Sequence, residues 1–366
     1  MVSAGHMIAL SHSFPWNGPL DTPFKGWRIS GSKEFDPGTI AHLQRKYHAI
    51  FLKAVHPEIG SSISTRWLWA PEEPVIWSID GHACQLLKAE LLMFHGAVAL
   101  LTTYFQCSDA DLEVLGLVSS RLKDLTTIVS TGGQDRQLDR SLADLLLVRA
   151  GEPVELSGHG PNSRVFLNVI MEGGMLDGTQ WDQQLFSLAT GMPSNAGPAA
   201  PSPHMIQREL NEHGIHLFDN WRALALQDTF TRVAIEAPDP HNVWEKEYLR
   251  IYQYVLLLRA YCLVIGSQLD RSDTADIGLL EVRDRWHAFL NDVDLHSISY
   301  KWLPDELYRA MVHGTRVDHE VTRVNERLDR AVMRFRERRA ANLQKVGLVL
   351  TILLLVMIFF IWRYPF

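Results

Sequence analysis

LLKAELLMFHGAVALLTTYFQ, residues 86–106, decides the fold of this chain. Two apolar, β-prone runs meet at His95-Gly96, and runs of that kind on either side of a tight turn predict a β-hairpin. SDADLEVLGLVSSRLKDL (108–125) follows, with Ser108 and Asp111 placed as at the start of a capping box, so a helix is expected there. Strand, strand, helix in that order predicts an α+β domain, an antiparallel or mixed sheet with helices on one face.

Outward from the hairpin, more elements of the same kind are legible. RWLWAPEEPVIWSIDG (66–81) reads as strands 65–69 and 75–79 joined by the turn-prone APEEP. In EFDPGTIAHLQRKYHAIFLKAV (34–55), Asp36 caps and Pro37 opens a short helix to Arg45, and Tyr47 to Val55 reads as a strand. A helix is expected over 136–149 and a strand in SRVFLNVIME (163–172). MPSNAGPAAPSPH (192–204) holds four prolines and reads as a mobile linker. NWRALALQDTFTRVAIEA (220–237) is a second hairpin turning at Gln227-Asp228.

NVWEKEYLRIYQYVLLLRAYCLVIGSQL (242–269) begins with Asn242 and Glu245 in capping-box spacing and is apolar on nearly every face. Arg250, Gln253 and Arg259 argue against a membrane span, since each arginine at bilayer depth costs about 3 kcal/mol, so a buried central helix is expected. Ile277, Leu280, Trp286, Phe289 or Leu290, and Val293 mark an amphipathic helix. SISYKWLPDELYRAM (297–311) then leads through a Pro304-Asp305 turn into the C-terminal segment.

Val317, Val321, Val324, Leu328, Ala331 and Phe335 fall at heptad steps, one seam along a helix. The seam ends at Arg338, Asn342 and Lys345, and Val346 to Trp362 is a run of 17 residues without charge. At about 1.5 Å per residue that run reaches roughly 26 Å, just enough to cross a hydrocarbon core. Lys345 and Arg363 bracket it, and Trp362 and Tyr364 give it an interfacial aromatic end. One continuous helix is expected from about 316 to 362. Its seam packs either on the chain's own domain or on copies of itself around a symmetry axis. Gly347 and Thr351, four apart, form a small-residue face where membrane helices can meet.

Charge orients this helix. The chain carries −7 overall, but from Arg330 onward it carries +6, which leaves −13 on residues 1–329. The neck formed by Arg334, Arg336, Arg338, Arg339 and Lys345 belongs on the cytoplasmic side, against an anionic leaflet. The N-terminus lacks the basic and apolar regions of a secretory signal. Cys84, Cys107 and Cys262 lack CxxC spacing and read as buried reduced thiols, which fits a reducing compartment. The expected location is therefore an inner or plasma membrane, single-pass, with the N-terminal body cytoplasmic and the C-terminus outside. Nucleic acid is not an expected partner, because no basic stripe lies away from the neck.

The sequence offers little for catalysis. Sixteen histidines include the cluster Glu209, Glu212, His213 and His216, which Gly214 interrupts and which reads as solvated loop. Asp318 and Glu320 read as a solvated helix face; only as stacked rings in an oligomer would they offer a divalent cation a site. VSTGGQD (129–135) is a glycine turn with no phosphate-cradle lysine after it. Trp67, Trp69 and Trp77 read as inter-strand packing, and as a nucleotide-stacking platform only if their strands are exposed. GxSxG, HExxH, GxxxxGK[ST] and CxxC are all absent, so neither an enzyme nor a cofactor is expected.

RVNERLDRAVMRFRERRAANLQKVGLVLTILLLVMIF (323–359) resembles in layout the stalk and first membrane helix of the CorA-type divalent-cation transporter superfamily. FHGAVALL with its following helix, and EYLRIYQYVLLLRAY, are similar to CorA-like proteins and to the related family required for meiotic nuclear division. The resemblance implies a homo-oligomer. No Gly-Met-Asn follows the span, so no signature residue carries over and selective cation transport is not implied.

Five segments follow from this reading: 1–191 as α/β cytoplasmic domain, 192–204 as linker, 205–300 as hairpin plus helical remainder, 301–345 as stalk helix and 346–362 as transmembrane helix. The expected protein is tail-anchored and homo-oligomeric, with a sensing or recruiting cytoplasmic domain. An oligomeric ion-conducting or membrane-disrupting effector is the alternative, and a membrane-tethered enzyme the second.

Overall fold

A computed structural model describes residues 6–16, 26–31, 35–59, 63–95, 97–107, 111–146, 163–171, 178–192, 200–235, 243–272, 276–293 and 296–363. Gly96, Ser108, Asn242, most of the proline-rich linker, Tyr364 and the Trp362 side chain lie outside them. The described residues fall into two compact units: Met1–Val264 with Asp292–Asp318, and Ile265–Asn291 with His319–Phe366.

The first unit is built on the predicted hairpin. Strands β1 (His6–Pro15), β2 (Arg28–Ile29), β3 (Ser64–Trp69), β4 (Val75–Ile79), β5 (His82–Phe94) and β6 (Val98–Cys107) precede helix α3 (Leu112–Leu122). Strands β7 (Ile128–Thr131), β8 (Gln134–Gln137), β9 (Ser163–Met171), β10 (Gly214–Ile215), β11 (Trp221–Ala225) and β12 (Thr229–Ile235) complete a single sheet. Its path runs β10-β11-β12-β9-β1-β6-β5-β4-β7-β8. The long strand β5 also carries β3, with β2 beyond it, along the part of its edge that β4 leaves free. Every pairing is antiparallel except β9 with β12, so the sheet is mixed. Cys84 and Cys107 are buried free thiols, brought face to face across β5 and β6 with their Sγ atoms 3.0 Å apart.

Helices cover both faces of the sheet, not one as expected. Leu91, Met93, Leu101 and Phe105 share one apolar core with Leu115 of α3, Leu142 of α4 (Leu138–Leu145), Phe186 of α5 (Gly178–Thr190) and Leu210 of α6 (Pro203–His213). On the opposite face α7 (Leu249–Ser272) meets the sheet through aromatic contacts, α2 (Ala49–Val55) packs on β3, α9 (Trp302–Thr315) packs on β11, and α1 (Pro37–Lys46) packs on α2. Phe166 lies against Tyr252, Phe51 against Tyr254, and Tyr254 against Tyr308, with ring centroids 5.3–5.9 Å apart. Two covered faces explain why β5 and β6 read as unbroken apolar runs and not as an alternation.

Five local expectations are corrected. Tyr47–Val55 is not a strand: Phe51, Leu52 and Val55 fall on one helical face, all are buried, and α2 forms. Only Tyr47 pairs in extended form, with Ser299. The helix expected from 136 starts at Leu138, because Gln134–Gln137 pair with β7 through Gly132 and Gly133, both at positive φ. The helix after β6 is capped by Asp111, whose carboxylate accepts the Val114 N–H at 2.8 Å. Pro304-Asp305 is not a turn but the first turn of α9, where proline's missing N–H leaves no helical bond unmade. Arg316, left-handed at φ 59°, ends α9 before α10 (Val317–Arg363), so the expected 301–345 stalk is two helices.

Gly314 shows how closely α9 presses on β11. A Cβ there would lie 2.1 Å from the Ala225 carbonyl oxygen, and that backbone cannot swing aside. Gly314→Ala is therefore expected to cost about 1–3 kcal/mol, read as a lower urea midpoint with an unchanged slope.

The second unit is helical: residues 265–272 of α7, most of α8 (Asp276–Asp292), and α10 from His319. Trp286 Nε1 donates to Asn325 Oδ1 at 2.7 Å, Arg327 pairs with Asp270, and Leu269, Val282, Trp286, Val324 and Leu328 are buried.

Candidate functional site

The seam, neck and span residues singled out in the sequence lie on α10, which at 47 residues is about 70 Å long. Of its seam, Val317, Val324 and Leu328 are buried within the single chain, and Val321 and Phe335 are half-buried. Arg336, Arg338, Arg339 and Lys345 are exposed, while Arg334 borders a shallow groove with Arg327, Arg330 and Asp270. From Val346 to Phe359 every residue is exposed, and a Cβ added at Gly347 would meet nothing within 4 Å. Thr351 donates its hydroxyl to the Gly347 carbonyl at 2.9 Å, so this side chain is satisfied inside its own helix. Among the described residues two helices are long and apolar enough to cross a membrane. In Trp244–Asp270 the apolar window is 83% buried, and in Val317–Phe359 none of it is.

A second concentration of chemistry was not expected from the sequence. It lies where the start of α7 crosses β5 and β3, beside a cavity of about 270 Å³. Glu90 points from β5 onto the α7 side of the sheet, 3% exposed, and accepts from both terminal nitrogens of Arg250, Nη2 at 3.0 Å. Tyr104 donates its hydroxyl to the same carboxylate at 2.8 Å. Arg250 also donates to Gln253 Oε1 at 2.8 Å, Gln253 donates to Thr102 Oγ1 at 3.0 Å, and Thr102 meets Ser11. A polar chain thus threads from α7 through β6 to β1 inside an otherwise apolar layer.

Beside it, Arg66 of β3 donates to Glu58 Oε1 at 3.0 Å and to the Val55 carbonyl. Ser30 donates to that same carboxylate oxygen at 2.6 Å. Lys88 bridges outward to Glu245 and lies over the Tyr104 ring, 4.4 Å from its centroid. The backbone of Trp244–Tyr248 is one turn of π-helix, an irregularity frequent at functional sites.

Electrostatics follow from burial plus these partners. Burial alone would raise the Glu90 carboxyl, but Arg250, aided by Arg66 and Lys88, overrides it and holds the group well below the usual carboxylate range. Burial pushes the Tyr104 hydroxyl well up, and the Glu90 charge adds to the effect. His56 is buried with neither ring nitrogen hydrogen-bonded. Burial, then Arg66 and Arg250, hold it well below the usual histidine range, so it is neutral.

Other sequence candidates are less organised. Glu209, Glu212 and His213 sit at the end of α6, an ordered helix and not the loop expected, with His213 no nearer than 3.9 Å to either carboxylate. Among the described residues no three His, Cys, Asp or Glu side chains come together as a metal site. Trp67 and Trp77 are buried in the sheet core, while Trp69 is half-buried at the cavity wall. The signal that could have found the site is Glu90 in an apolar strand together with Arg250 and Gln253 in an apolar helix: buried charges keep partners. No family model, no curated protein and no solved structure matches the chain.

Proposed function

We propose that this protein is a single-pass, membrane-anchored binding protein whose α/β domain works at the cytoplasmic surface. Residues 346–362 form the span, and the basic neck from Arg334 to Lys345 faces the anionic leaflet. The observation that carries the reading is the uncovered apolar face from Val346 to Phe359, beside an α7 of similar character that is buried. An apolar surface of that length exposed on all sides needs a hydrocarbon environment. Thr351, the one hydroxyl in the span, is bonded to its own helix, which supports anchoring over conduction. Since Val324 and Leu328 are covered within one copy, self-association would use the open Gly347–Thr351 face.

Carbonate extraction tests the anchor. The full chain is expected to stay in the membrane pellet at alkaline pH, and recovery in the supernatant would overturn the reading. Protease added outside intact cells should leave the body whole; its digestion would reverse the orientation.

A further inference from the structure

We infer that Cys84 and Cys107 are a reversible redox couple, which closes under oxidation to a disulfide that staples β5 to β6. Nothing in the anchoring reading requires this, and it fails or stands independently.

Register comes first. Strands β5 and β6 pair antiparallel through Gln85 with Gln106, and one step further along Cys84 stands opposite Cys107. Residues opposed in an antiparallel pair have Cα atoms about 4.5–5.5 Å apart, within the roughly 4.4–6.8 Å that a disulfide spans. Both side chains enter the same apolar core, and their Sγ atoms are 3.0 Å apart. Closure therefore asks for side-chain rotation and not for a shift of either strand. Cys262 is on α7, which packs on the other face of the sheet, so it does not compete for either sulfur.

Chemistry comes second. The two sulfurs share a hydrogen bond, and an S–H donated by one stabilises a thiolate on the other. The bond from Cys107 holds the Cys84 thiol below its ordinary value against the effect of burial. The same bond, then burial, push the Cys107 thiol up. Cys84 is thus the attacking thiolate and Cys107 the resolving thiol. The oxidant is a small disulfide of the glutathione class. The Cys84 thiolate attacks one of its sulfurs, the S–S bond breaks, and one glutathione leaves. Cys107 then gives up its proton, attacks the Cys84 sulfur of the mixed disulfide and expels the second glutathione. Two protein thiols are oxidised, one glutathione disulfide is reduced, and the two thiol protons end on the two glutathiones.

Position comes third. Cys107 is the last residue of β6, and Cys84 is the third of β5, just after the turn at Asp80-Gly81. Both thiols are buried, so exchange waits on local opening, which is cheapest at the ends of strands. In a reducing compartment the pair rests as the dithiol, and it closes when the small-disulfide pool rises. The two cysteines are 23 positions apart. Linking them restricts the unfolded chain and is expected to raise the folded-to-unfolded ratio about a hundredfold.

The test equilibrates the full chain, in detergent, with glutathione disulfide in excess over glutathione, followed by acid quench and alkylation of the denatured chain. Two of the three thiols are expected to vanish together, with Cys262 still alkylated. An unreduced digest should yield one peptide pair joining Cys84 to Cys107, which dithiothreitol reverses. The oxidised chain should unfold at a higher urea midpoint than the reduced one. Cys107→Ser should abolish that difference, and Cys262→Ser should keep it. Three thiols still alkylated at equilibrium, a link to Cys262, or a lasting glutathione adduct on a single cysteine would overturn the couple. A Cys84–Cys107 link that leaves the urea midpoint unchanged would overturn the staple.

Discussion

Arg250→Met is expected to lower the folding stability of the α/β domain by about 3–5 kcal/mol and to reverse its response to acid. The loss comes mainly from the partner left behind. Glu90 is 3% exposed, and without Arg250 its charge stays in the sheet layer with the Tyr104 hydroxyl against it and the half-buried Lys88 ammonium, 3.7 Å away, to offset it only in part. In the wild type, Arg250 holds this carboxyl well below its ordinary value of 4.5. A lowered folded pKa gives stability that is complete above the unfolded value, so it fades only as pH falls from there through the folded one. In Arg250→Met the balance inverts, because burial is the largest influence on Glu90 and it raises the pKa. The variant should then gain stability as pH falls through that raised value, where the wild type is still unchanged. Urea unfolding of the full chain in detergent, followed between pH 4 and 8, reads both effects. Glu90→Leu combined with Arg250→Met should recover at least half of the loss, since removing a buried pair together costs less than breaking it. A single variant as stable as the wild type would show that the pair does not hold α7 on the sheet.

That pair also shows where sequence reasoning reaches and where it stops. The hairpin of β5 and β6 was legible, because a run of β-prone apolar residues on each side of a turn is local information. So was the choice to bury α7, since Arg250, Gln253 and Arg259 are expensive in lipid. What the local pattern cannot give is the partner. Glu90 and Arg250 are 160 residues apart, and their meeting depends on β5 being central and α7 crossing it. The strand assigned to Tyr47–Val55 failed for a related reason: nine residues of mixed apolar character suit either element, and the covering position over the sheet favoured a helix from Ala49. Helices on both faces were illegible because the segments supplying the second layer, α1, α2, α7 and α9, lie at opposite ends of the chain. The heptad seam was visible on α10, yet the same apolar spacing serves an intramolecular contact as well as a coiled coil.

Leu354→Arg is the other change with a large expected effect, since position 354 is the midpoint of the uncharged run between Val346 and Trp362. Arginine at the centre of a span is disfavoured by about 3 kcal/mol, and the lost leucine adds roughly 0.5 kcal/mol. Together that is a several-hundredfold shift in the insertion equilibrium. The same substitution at Leu343, inside the basic neck, places the charge among Arg338, Arg339 and Lys345 at the interface, where it can reach headgroups. Membrane insertion of the two variants, expressed at matched levels and read by carbonate extraction, should therefore separate sharply. Leu354→Arg should move protein into the supernatant, and Leu343→Arg should leave it in the pellet. Neither residue is part of a packed core, Leu343 being 65% and Leu354 59% exposed, so folding of the α/β domain is expected to survive both. Equal partitioning of the two variants would mean that the apolar end of α10 is covered by protein and not by lipid. The basic neck would then be the flank of an interface, and the exposed face from Val346 to Phe359 its centre.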